Sequence, residues 1–176
     1  MNNQGEIIAP GTLRFKRLLP GSIEKVWSYL TDSEKRGKWL AKGSMELYVG
    51  GKVELHFFHA DLSPHKETPP AKYKCYETGD SISGEVIACF PPRLLSFTWG
   101  DHSEVTFELS EQENNLILLI LTHRKIEDKI DTRISIASGW HTHLGILDAH
   151  LNDRIPDGFW EVHNKMEKEY GTLFSK

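Results

Sequence analysis

The feature that most constrains this chain is a change of period. From Glu46 to His123, apolar residues recur at every second position in runs broken by Gly, Pro and Asn. From Asp131 to Leu151 they recur at steps of three and four. Alternation puts apolar side chains on one face of a strand, and the longer step puts them on one stripe of a helix. A chain with strands first and one long helix last buries both by laying the helix across a face of an antiparallel sheet. That is an α+β arrangement.

The local signals fill in this outline. Thr12 to Leu19 reads as a first strand and breaks at Pro20-Gly21. Ser22 is a candidate N-cap, with Lys25 three positions on, so no reciprocal capping box is possible. Ile23, Val26, Trp27 and Leu30 fall at helical spacing, and Asp32 starts a second short helix through Trp39-Leu40. Gly50-Gly51, between Leu47-Tyr48-Val49 and Val53 to Phe57, predicts a tight hairpin. Further strands are expected at Ile82 to Phe90, Leu94 to Trp99, Glu104 to Leu109 and Leu116 to His123, the last after a turn at Asn114-Asn115. The sheet therefore has about six to seven strands. The segment Ala60 to Asp80 is long, polar and interrupted by Pro64, Pro69 and Pro70, and reads as a mobile loop at one end of the fold. Pro156 suits the first position of a last helix with Phe159, His163, Met166 and Tyr170 on one face. The Glu167 to Gly171 run, EKEYG, reads as solvated. The expected division is a tail over 1–11, a domain over 12–155 and a helical extension over 156–176.

At 176 residues the chain suits one domain. A net charge of -4 with both signs interspersed argues against a nucleic-acid or anionic-membrane surface. Met1 to Pro10 is polar and carries no apolar leader core. The longest apolar run, Leu116 to Leu121, falls far short of the roughly 20 residues of a membrane span. Cys75 and Cys89 have no paired spacing. A cytoplasmic protein with free thiols and no membrane span is the expectation.

The most conspicuous chemistry is GWHTHLGILDAHL, residues 139 to 151. On a helix, Ala137, Trp140, Leu144, Leu147 and Leu151 form one apolar stripe. His141 lies on one flank, and His143 and His150 lie on the other. Helical metal pairs need a separation of three or four residues. His143 and His150 are roughly 10.5 Å apart along the axis, and His141 and His143 differ by about 200° around it. His56 and His59 are an odd number apart and fall on opposite faces of a strand. No metal site and no cofactor is expected. There is no nucleophile motif of the GxSxG type, and the Gly pair lacks the helix and lysine of a phosphate loop.

RLLPGSIEKVWSYLTDSEKRGKWL, VGGKVEL, GEVIACFPPRLLSFTW, LTHRKI and GWHTHLGILDAHL occur in the order of one known family. The chain resembles bacterial domains similar to the C-terminal domain of the activator of heat-shock-protein-90 ATPase, within the START-like (SRPBCC) superfamily. The resemblance spans about Leu13 to Leu151. It implies a helix-grip fold, in which a curved antiparallel sheet wraps a long C-terminal helix around a cavity, with two short helices after the first strand. It brings no shared catalytic residue. Alternation and the helical wheel give a candidate lining of Phe57, Phe97, Trp99, Val105, Phe107, Leu119, Leu121, His123, Trp140, His143 and Leu144. The expected function is binding of a small apolar or aromatic molecule, by a monomer or homodimer. The alternatives are a stress- or chaperone-related module with a protein partner, and a cyclase- or hydrolase-type enzyme using His123 or His143 as acid or base.

Overall fold

A computed structural model describes residues 2–100 and 102–176. Seven strands form one antiparallel sheet: β1 (Glu6–Ala9), β2 (Thr12–Pro20), β3 (Lys52–Phe57), β4 (Asp80–Phe90), β5 (Leu94–Trp99), β6 (Ser103–Gln112) and β7 (Leu116–Arg124). Their order across the sheet is β1-β2-β7-β6-β5-β4-β3. The helices are α1 (Ile23–Thr31), α2 (Ser33–Arg36), α3 (Ile130–Leu151) and α4 (Phe159–Phe174). This is the helix-grip architecture, with α3 held against the inner face of the sheet.

Register explains the inner face. Val105 pairs with His123, Phe107 with Leu121 and Leu109 with Leu119, while Phe97 pairs with Val105 and Phe15 with Leu121. Each alternate residue on these strands is buried, and Trp140, Leu144, Leu147 and Leu151 of α3 meet them. The helix is buried on more than the expected stripe. Thr142, Ile146 and Ala149 are also enclosed, on a helix that α4 packs against.

Both local caps form. The Ser22 hydroxyl accepts the Lys25 amide at 3.2 Å, and the Asp32 carboxylate accepts that of Lys35 at 2.9 Å. The second helix ends at Arg36, well short of Leu40. Arg36 itself turns inward and is 1% exposed. Its guanidinium donates to the carbonyls of Leu30, Thr31, Ala41 and Gly43, and this fixes the turn after the helix.

Three further expectations need correction. Glu6–Ala9, which polarity alone marks as tail, pairs with β2. Leu47 to Val49 is not a strand, because the Gly50 amide and Gly51 carbonyl bond across to Val86 of β4, at 2.9 and 2.8 Å. Only single bridges, Lys42 with His56 and Met45 with Val53, remain on that side. A Cβ on Gly51 would lie 2.2 Å from the Glu46 carbonyl, so the turn demands glycine there. Finally, α4 starts at Phe159 rather than at Pro156, with Gly158 as its N-cap.

That start has a long-range cause. The Glu67 carboxylate, in the segment between β3 and β4, accepts the amides of Trp160 and Glu161, both at 2.9 Å. It supplies the anionic cap that the adjacent sequence lacks. A Cβ on Gly158 would come within 2.2 Å of that carboxylate. The segment also carries two 3-10 turns, His59–Asp61 and Ala71–Tyr76, and crosses the helices instead of projecting from the sheet. No helix among the described residues is long and apolar enough to cross a membrane.

Candidate functional site

Between the sheet, α3, α4 and the β3–β4 segment lies a cavity of about 230 Å³. The sheet contributes Trp99 and His123. From α3 come Ser135, Ile136, Gly139, Trp140 and His143, and from α4 come Phe159, Trp160 and His163. The β3–β4 segment supplies His59, Tyr73 and Tyr76, and Leu40 completes the wall. The cavity is therefore hydrophobic and rich in aromatic rings, with a minority of polar groups.

The rings are in mutual contact. Phe159 lies between three histidines, with ring centres 4.4 Å from His59, 5.0 Å from His143 and 5.8 Å from His163. Trp160 stacks on Tyr73 at 5.3 Å, and Trp99 meets Trp140 at 5.0 Å. His59 and His143 are 5.7 Å apart.

Burial keeps these imidazoles uncharged. It pushes His143 down to about 3, helped by the neighbouring His59 and opposed by a hydrogen bond to the Trp39 carbonyl. Burial also lowers His59 and His163 to about 4; His163 adds to the effect on His59 and Asp80 opposes it, while Glu167 opposes it at His163 and Lys72 adds to it. His163 Nδ1 is 3.7 Å from a Glu167 oxygen, too far for a hydrogen bond. With His163 neutral, the two make no ion pair. Nδ1 of His163 and Nδ1 of His59 are buried and have no hydrogen-bond partner among the described residues.

Glu167 closes the rim. It accepts from the Tyr73 hydroxyl and, at 2.9 Å, from Lys72. Burial pushes its carboxyl up, but these two bonds outweigh burial and hold it below its ordinary value. Reading EKEYG as solvated therefore misplaces Glu167, which is tied to the segment over the cavity, while Tyr170, expected on the helical face of Phe159, His163 and Met166, is 1% exposed. The Tyr170 hydroxyl accepts the Gly5 amide and bonds to His141 Nδ1.

The geometry at His123 bears on catalysis. The Trp140 indole N–H donates to His123 Nδ1 at 3.0 Å, so the ring's proton is on Nε2, which is 2.7 Å from the Ser103 hydroxyl. A histidine donating toward serine is in the opposite tautomer from one that withdraws the serine proton. The described residues contain no group of three metal-ligating side chains that could hold an ion.

Of the sequence-derived lining, the structure brings Trp99, His123, Trp140 and His143 to the cavity wall. Phe97, Val105, Phe107, Leu119, Leu121 and Leu144 are buried core residues away from it, and Phe57 packs against Trp99 and borders a different, outer groove. Leu144 and Leu147 of α3 are fully buried among the core residues, whereas the cavity is bounded on the sheet by Trp99 and His123. The residues that alternation could not reach, His59, Tyr73, Tyr76, Phe159, Trp160 and His163, lie on the irregular segment and on α4. Their one sequence signal was the shared helical face of Phe159 and His163.

The family described as activator of Hsp90 ATPase homolog 1-like protein matches residues 20–152. A Bordetella parapertussis protein of known solution structure is 38% identical, over 96% of this chain and 89% of that one, with a TM-score of 0.80. CalU16 from Micromonospora echinospora is 19% identical over 98% of this chain and 96% of its own, with a TM-score of 0.67. The Aha1 dimer from Colwellia psychrerythraea is 15% identical over 80% of this chain and 95% of its own, with a TM-score of 0.58. The last two likenesses are of fold alone. No curated protein matches the chain.

Proposed function

We propose that this chain, which belongs to the activator of Hsp90 ATPase homolog 1-like family, works as a binding module for a small aromatic molecule. The observation that carries the reading is the cavity itself: about 230 Å³ lined by aromatic rings and uncharged imidazoles. An engineered apolar cavity of roughly 150 Å³ holds benzene. The space here therefore suits one substituted ring or two fused ones. Apolar walls supply affinity through burial, and the few imidazoles supply orientation.

Three tryptophans, Trp99, Trp140 and Trp160, line the cavity, so occupancy is readable in their fluorescence. Titration with two-ring aromatics should quench it saturably and raise the unfolding temperature. Quenching without saturation, and no thermal shift across a panel of such compounds, would overturn the reading.

A second reading, docking of a protein partner, is favoured by one exposed apolar group. Tyr48, Val49 and Phe90 are 59%, 70% and 68% exposed, and the 48–51 turn is bonded to β4, which also carries Phe90. Substituting Tyr48 and Val49 by serine would weaken such docking and leave cavity binding intact.

A further inference from the structure

The polar groups of the cavity narrow the chemistry of what it holds. The Trp39 carbonyl can only accept, so His143 Nδ1, 2.8 Å away, carries the proton of that bond. In the uncharged ring Nε2 is then a bare acceptor. No described residue donates to it, although His143 is 6% exposed and lines the cavity. That nitrogen opens onto the cavity, so a molecule placed there can offer it the donor that the protein does not.

The charge of the lining favours a neutral molecule. Among the described residues the lining contains no Lys or Arg to meet a carboxylate, and no Asp or Glu to meet an ammonium. Glu167, at the rim, is already engaged by Lys72 and Tyr73.

We propose that the cavity takes a neutral aromatic hydroxyl compound, a phenol or naphthol, whose O–H donates to Nε2 of His143. The rings of Trp99, Trp140, Phe159 and Trp160 bury its faces. This rests on the aromatic-ligand reading above and adds the donor to it.

The test is a calorimetric titration of the full chain with β-naphthol, its methyl ether and β-naphthoate, together with the imidazole nitrogen resonances of His143. Naphthol should bind roughly tenfold more tightly than the ether, which covers Nε2 without donating to it. Naphthoate should bind more weakly than naphthol, and the Nε2 resonance should move with naphthol and not with the ether. If the ether equals naphthol, or naphthoate binds best, the donor assignment is wrong while the aromatic-ligand reading stands. If none of the three binds or moves a cavity resonance, both fall.

Discussion

Trp140 donates its indole N–H to Nδ1 of His123, 3.0 Å away, and so ties the centre of α3 to β7. The bond couples the largest residue of the helix to a histidine that is 1% exposed. Trp140→Phe keeps most of the ring but leaves His123 Nδ1 without that donor, and should cost about 1–3 kcal/mol. Trp140→Ala removes the packing as well and should cost about 3–5 kcal/mol. Urea denaturation of the two variants checks both. A Phe variant as stable as the parent would mean that the bond contributes nothing.

Glu67 caps α4 from more than ninety residues away in sequence. Glu67→Gln keeps the shape and loses the charge at the helix N-terminus, and Glu67→Ala loses the cap. The alanine variant should cost about 1 kcal/mol. It should also speed amide exchange at Trp160 and Glu161 while leaving Val105 to Leu109 protected. Unchanged exchange at those two amides would show that water caps the helix equally well.

The fold was readable because its signals are local. Alternation in Val105, Phe107 and Leu109, the Ser22 and Asp32 caps and the α3 stripe all act within a few residues. Part of the cavity was readable, through Trp99, His123, Trp140 and His143, for the same reason. The wall opposite depends on Glu67 holding Trp160, and on Tyr73 bonding Glu167, contacts that join an irregular segment to a distant helix. No periodicity encodes such pairs. His59 illustrates the limit: strand alternation ruled it out as a metal partner for His56, yet it lies in a 3-10 turn that carries it to the cavity.

Arg36 is buried with no ion pair among the described residues and is satisfied by four carbonyls, those of Leu30, Thr31, Ala41 and Gly43. Lysine cannot reproduce the planar fork. Arg36→Lys should cost about 1–3 kcal/mol and Arg36→Met more, through carbonyls left without donors. Chemical denaturation measures both, and a neutral Arg36→Met would contradict this account of the turn after α2.

Acid should destabilise the fold through its histidines. His143 and His163 are lowered by burial from 6.5 to about 3 and about 4. The unfolded chain therefore takes up protons first as pH falls. Stability is complete above about pH 6.5, drains below it, and the loss from His143 and His163 levels off near pH 3 and 4 respectively. The slope is up to about 1.4 kcal/mol per pH unit for each of the two. His59 and His141, lowered to about 4 by burial, act in the same direction. Urea midpoints between pH 7.5 and about 5 should fall steadily, and flat midpoints would show these imidazoles to be solvated.

The central claim is that the space among Trp99, Trp140, His143 and Phe159 receives a small aromatic molecule. Intermolecular NOEs between bound β-naphthol and the labelled chain test it most directly. Contacts from the naphthol protons to the rings of Trp140, His143 and Phe159 are the predicted result. Saturable binding whose NOEs reach only the exposed residues Tyr48, Val49 and Phe90, with none to those three rings, would contradict it.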